Sequence, residues 1–162
     1  MAEHDDDDGL SDGPVVEDAP FKALRALNCP DGHRLARQRH RLLPELLPWF
    51  RGDPWIERFA AVIAEQRIVD VKELCESVEF HARVHRRLRA PVMADLCCGH
   101  GLTGLLFALL EREVTEVYLI DRRRPASHDQ LLQALDTMAP WVRPKVRYLE
   151  APLKSAASAL PR

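Results

Sequence analysis

The stretch Val92-Met93-Ala94-Asp95-Leu96-Cys97-Cys98-Gly99-His100-Gly101-Leu102-Thr103-Gly104 joins a short apolar run directly to a glycine-spaced turn. An apolar run of this length, bounded by turn residues, predicts a buried strand of a parallel sheet. The chain holds seven glycines, and three of them fall within positions 99–104. Behind them Leu102, Leu105, Leu106, Leu109 and Leu110 recur at helical spacing, which predicts a helix from Leu102 to Arg112. Val117 to Asp121 reads as a second strand. Ser127 reads as the cap of a helix running to about Met138, with Leu131, Leu132 and Leu135 turned inward. Lys145 to Glu150 reads as a third strand, Val146 and Tyr148 alternating with Arg147, and a short helix runs on from Leu153 to Leu160. The order β-α-β-α-β with short connections predicts an α/β fold, a partial doubly wound parallel sheet.

Upstream the grammar is helical. Asp31 is a candidate N-cap for the Arg-rich stretch His33 to Arg41, and Pro44 and Pro48 then interrupt the pattern. Asp53-Pro54 opens another helix, with the acid as cap and proline in the first turn. Asp70 and Glu73 form a capping-box pair for a third, which runs to about Leu88. That helix has a buried face on Val71, Leu74, Cys75 and Val78. Its other face ends in His81, Arg83, His85, Arg86, Arg87 and Arg89. His81 and His85 have the i, i+4 spacing of a metal pair. With no third ligand apparent, they read as part of a basic solvated face. Three regions result: an acidic tail over 1–20, a helical extension over 21–90 and a ligand-binding α/β unit over 91–162.

Composition narrows the class. The 162 residues are 46% apolar and 30% charged, which suits a soluble globular chain, and no run is long and apolar enough to span a membrane. Residues 1–20 carry eight acids and no Lys or Arg, a pattern that predicts disorder. Removing those eight from the 25 acids leaves 17 against 23 bases, so residues 21–162 carry about +6. Four cysteines (Cys29, Cys75, Cys97, Cys98) fit neither a disulfide framework nor a zinc motif, and a reducing cytoplasm is the expected setting.

The turn at 97–104 contains GxGxxG between a strand and a helix. Glycines there let the backbone approach a ligand, and the helix N-terminus adds partial positive charge. Two acids sharpen the reading. Asp121 ends the second strand, 22 residues after Gly99, where a carboxylate can accept hydrogen bonds from both ribose hydroxyls of an adenine nucleoside. Asp95 lies four residues before Gly99, close enough to repel a pyrophosphate and to favour a ligand with ammonium and sulfonium centres. Together they favour S-adenosylmethionine over a nicotinamide dinucleotide. His100, between two motif glycines, faces the ligand or its mouth. It reads either as a general base or as a loop residue that contributes its backbone.

These residues carry a resemblance. Asp95-Leu96-Cys97-Cys98-Gly99-His100-Gly101 resembles motif I of the class I S-adenosylmethionine-dependent methyltransferases, [DE]-x-G-x-G-x-G, with Cys97 in place of the first glycine. Val117 to Asp121 resembles motif II with its ribose-binding acid, and Tyr148-Leu149-Glu150-Ala151 resembles the third motif, near the adenine ring. The resemblance covers about residues 91–153. It implies a Rossmann-like domain that binds S-adenosylmethionine through Asp95, Leu96, Cys97, Cys98, Gly99, His100, Gly101, Gly104, Asp121, Arg122, Glu150 and Ala151. It also implies methyl transfer to an acceptor, and the basic helical extension tilts that acceptor toward RNA.

In that family a fourth strand lies beside the first, and residues near it position the acceptor. The chain ends at Arg162, before such a strand can be written, so the expectation is a cofactor-binding half whose first strand is an open edge. The N-terminal helices, a partner or a second copy would have to cover that edge, and no catalytic residue is named. Two other readings stay open: a non-catalytic nucleic-acid- or partner-binding protein on a degenerate methyltransferase fold, and an NAD(P)-binding Rossmann protein.

Overall fold

The computed structural model describes residues 20–88 and 90–160; positions 1–19, on which the expectation of a disordered acidic tail falls, Arg89 and the last two positions lie outside them. Three strands form an all-parallel sheet in the order β1 (Val92–Leu96), β2 (Glu116–Asp121), β3 (Val146–Glu150). The register pairs Asp95 with Leu119 and Asp121 with Glu150. Four helices of more than two turns matter for packing: α2 (Pro54–Gln66), α3 (Val71–Val84), α4 (Leu102–Leu110) and α5 (Ala126–Met138). Shorter pieces complete the set as α1 (Pro30–Leu35), α6 (Val142–Lys145) and α7 (Ala156–Ala159). The arrangement is a partial Rossmann-like α/β fold.

The helical extension and the sheet unit share one core. Leu27, Phe50, Phe59 and Leu74 from the extension belong to the same buried cluster as Leu105, Leu119, Leu131 and Val146. The helix α3 lies along α4, and α2 along α5. Glu79, buried on α3, accepts the backbone N–H groups of Lys22, Ala23 and Leu24 at 2.7–2.8 Å. One carboxylate thus satisfies three otherwise orphaned donors and ties the first described residues to the helix.

Capping explains most boundaries. The Asp53 carboxylate accepts from the N–H groups of Trp55 and Ile56, and Asp70 with Glu73 forms the complete capping box of α3. Elsewhere the boundaries move. The helix expected over 33–41 is the six-residue α1, capped by the Cys29 sulfur rather than by Asp31. The backbone then leaves the helix so that Arg41 can bridge antiparallel to Asp70. Helix α3 stops at Val84, short of Leu88, and α5 starts behind Pro125, with no side-chain cap from Ser127. Val142–Lys145 takes one helical turn before β3 begins at Val146.

Strand β1 lies at the open edge expected for it, and that position overrides the burial its apolar composition predicts. It is parallel, but Val92 is 50% and Leu96 47% exposed, whereas Val117, Leu119 and Ile120 of β2 are buried. The cause is position: among the described residues β1 pairs only with β2, so its other edge is open. Phe80 and Leu88 stand exposed nearby and share with Met93 and Leu96 a shallow apolar cavity of about 150 Å³. No helix among the described residues is long and apolar enough to cross a membrane.

Candidate functional site

The carboxyl ends of β1 and β2 and the loop between β1 and α4 bring together the residues of the candidate site. The loop turns on three residues in the left-handed region: Cys97 (φ 58°), Gly99 (φ 56°) and Gly101 (φ 83°). Cys97 is not a glycine and adopts this left-handed conformation at a cost of order 1 kcal/mol.

The glycines divide the work. A Cβ placed on Gly99 would meet nothing within 4 Å, so its face is open to a ligand. A Cβ on Gly101 would lie 2.5 Å, and one on Gly104 2.4 Å, from the methyl groups of Leu119. These two glycines let the start of α4 settle onto β2, and Gly104 takes part in the site through its backbone.

Two carboxylates organise the loop amides. Asp95 accepts the Gly104 N–H at 3.0 Å, a donor of the first turn of α4. Burial pushes the Asp95 carboxyl above the usual carboxylate range; the Gly104 bond opposes this and the Asp121 charge adds to it. Asp121 accepts the Gly99 N–H on one oxygen at 2.8 Å and the Arg122 N–H on the other at 2.6 Å.

Two cavities flank Cys97. The first, about 290 Å³, is lined by Asp95, Cys97, Cys98, His100, Leu102 and Thr103 on one side, and by Glu73, Glu76, Ser77 and Phe80 of α3 on the other. The second, about 320 Å³, is lined by Cys97, Ile120, Asp121, Arg122, Ala151 and Leu153. Most of the residues expected at a site therefore converge. Leu96 lies instead on the open edge, in the apolar cavity beside Phe80. Glu150 turns its carboxylate to the Arg124 backbone N–H at 2.8 Å and so shapes the turn after β2.

Three contributions have no signal in the sequence. The Tyr148 hydroxyl lies 2.7 Å from the Gly99 carbonyl and 3.1 Å from that of Arg123, bracing the glycine loop against the turn after β2. His128, buried on α5, donates from Nδ1 to the His100 carbonyl at 3.0 Å and packs against the Tyr148 ring. The α3 wall is the third, with Ser77 3.2 Å from the Thr103 hydroxyl and Glu73 4.0 Å from His100. Each joins residues at least 20 positions apart in sequence, and no local pattern encodes such a contact. The Cys98 thiol is pushed up to about 11, chiefly by burial, so it stays protonated at neutral pH and is no nucleophile there.

A pH dependence arises from His128. Burial, the largest influence, pushes its imidazolium below the ordinary 6.5; the His100 carbonyl opposes this and Arg124 reinforces it. The unfolded chain therefore takes up this proton first, and stability falls as pH drops below about 6.5. Burial gives His81 the same direction. Urea midpoints measured from about pH 7.5 to 5 should decline, and His128→Asn, which keeps a donor for His100, should flatten the decline. A slope unchanged by that substitution would remove His128 as a contributor.

Compared with known proteins, the chain matches no family model, no curated protein and no solved structure.

Proposed function

We propose that the chain binds S-adenosylmethionine across the two cavities, with its ribose on Asp121 and its methionine end beside Asp95, and serves methyl transfer. The observation that carries this reading is the Asp95–Gly104 hydrogen bond. In a dinucleotide site the first-turn amides of the helix are available to a pyrophosphate. Here a carboxylate of the protein takes one of them, so an approaching anion meets a buried negative charge. A ligand with an ammonium group gains from that same charge and would draw the Asp95 pKa back down.

Asp121 has the remaining capacity its role requires. A carboxylate offers about four acceptor sites, and the two N–H bonds leave about two for a ribose diol. Ala151 and Leu153 offer an apolar surface on the far side of that cavity, suited to an adenine face. When bound, this cofactor supplies an electrophilic methyl group, whose transfer depends mainly on alignment with the acceptor. The chain's own contribution is to hold the carboxylates, the open Gly99 face and the α3 wall in place. The charge of the body tilts the undetermined acceptor toward RNA, and a strand supplied by a partner or a second copy would cover β1. RNA affinity that falls steeply with salt would bear out the first point. Negligible, salt-independent affinity would remove it.

Titration calorimetry with S-adenosylmethionine and S-adenosylhomocysteine tests the cofactor. Asp95→Asn keeps an acceptor for Gly104 and relieves the buried charge, so the free protein should be as stable as the parent or more so. Its affinity for S-adenosylmethionine should fall roughly tenfold or more. No heat with either ligand at about millimolar concentration, from a well-folded protein, would overturn the cofactor reading.

A further inference from the structure

At the far end of α4 from the glycine loop, about 13 Å along the helix axis by its rise, three potential metal ligands meet. His81 Nε2 lies 3.0 Å and His85 Nδ1 3.1 Å from the same oxygen, Oε1, of Glu111. The two imidazoles stack at 5.1 Å, and the ligand atoms of all three residues lie within 4.8 Å of one another. The histidines come from the last turn of α3 and the residue after it, the glutamate from the residue after α4. This corrects the sequence reading at His81: His81 and Glu111 are each only 8% exposed, whereas Arg83, Arg86 and Arg87 of the same face are exposed, and Glu111 is the third candidate ligand that the i, i+4 pair lacked.

We propose that His81, His85 and Glu111 form a binding site for a divalent first-row transition ion, zinc being the ion they fit best. Two imidazole nitrogens and one carboxylate oxygen are a familiar three-ligand zinc set, with solvent as the fourth ligand. Zinc bonds of about 2.0–2.1 Å in a tetrahedron set ligand atoms roughly 3.4 Å apart, so the 3.0 and 3.1 Å separations need open by only a few tenths of an ångström. The side chains of His81 and Glu111 are 10% and 11% exposed and that of His85 25%, which leaves a solvent approach on the His85 side. In the ion-free cluster the facing nitrogens carry the protons donated to Glu111. On binding, each neutral ring presents its lone pair and holds its proton on the other nitrogen, so no oxidant or reductant is needed. The ion would clamp α3 to α4, and with it the α3 wall that faces the glycine loop. The site does not depend on the cofactor reading.

Metal titration of the intact, chelator-stripped protein tests the proposal. Zinc should bind at one equivalent and raise the melting temperature. Cobalt(II) should give the visible bands of a low-symmetry nitrogen–oxygen site without thiolate-to-metal charge transfer. His85→Ala and Glu111→Gln should each weaken zinc binding by roughly tenfold or more. The glutamine keeps an acceptor for the histidines, so it separates metal binding from a merely hydrogen-bonded cluster. Should His81→Ala fail to fold, these two variants, one at a partly exposed residue and one with an isosteric side chain, still decide. Absence of saturable zinc binding, affinity unchanged in both variants, or thiolate charge transfer showing a cysteine site would each overturn the assignment.

Discussion

Asp121→Ala should reduce affinity for S-adenosylmethionine more than any other single change at the site. Hydrogen bonds to a charged acceptor contribute roughly 1.5–3 kcal/mol each, so loss of a two-point ribose contact predicts a weakening of at least roughly a hundredfold. The same substitution frees the Gly99 and Arg122 N–H groups, which lie where water can replace the carboxylate, so the cost to folding should be near 1 kcal/mol. Calorimetry paired with urea denaturation separates the two effects. Asp121→Asn retains one acceptor oxygen and should fall between parent and alanine variant. Affinity unchanged in Asp121→Ala, with the fold intact, would refute the ribose role and with it the placement of the nucleoside in the second cavity.

Gly104→Val should be the most destabilising single substitution in the glycine loop and the start of α4. Even the first added carbon would lie 2.4 Å from a Leu119 methyl, 3.1 Å from Val117 and 3.4 Å from the Asp95 Cβ. Leu119 and Val117 are buried, and Leu119 also fills the space under Gly101, so it cannot swing aside freely. Replacing glycine in a helix gains up to about 1 kcal/mol of propensity, against roughly 1–3 kcal/mol for overpacking. For alanine the clash outweighs the gain, a net loss of up to about 2 kcal/mol. For valine, with two further methyls and a restricted χ1, the loss should be about 3 kcal/mol or more, read as a lower urea midpoint. Leu119→Ala alone should cost about 2–5 kcal/mol, but combined with Gly104→Ala it should cost less than the two separately. An unchanged midpoint in Gly104→Val would show that α4 does not press on β2 at this glycine.

The strand and helix periods of residues 92–150 are legible in the chain because each is a local repeat. Leu102, Leu105, Leu106 and Leu109 mark one face of α4, and the apolar core of β2 marks a strand buried on both sides. The carboxylates at 95 and 121 are legible as acids close to the carboxyl ends of two strands. Strand ends alone do not decide what a side chain faces: Leu96 lies on the open edge and Glu150 turns to the Arg124 backbone. Caps are legible where side chain and helix are sequence neighbours of the usual kind, as at Asp53 and Asp70, and less so where sulfur takes the role, as at Cys29. The histidine pair shows its helical spacing in the chain, but its third member is 26 residues beyond His85 on another helix, where no spacing rule reaches.

Local periodicity and stereochemistry, both written in the chain, were enough for the order of elements, their parallel pairing and the two acids at the strand ends. What those elements face was a matter of packing. Gly101 and Gly104 are turned toward Leu119 and Gly99 is left open, because that depends on how closely α4 approaches β2. Strand β1 is the open edge expected for it, but how far Val92 and Leu96 are exposed there depends on their neighbours and not on the strand's apolar composition. Tyr148 and His128 come to lie behind the glycine loop and Glu111 beside the two histidines, contacts between residues that no period in the chain relates.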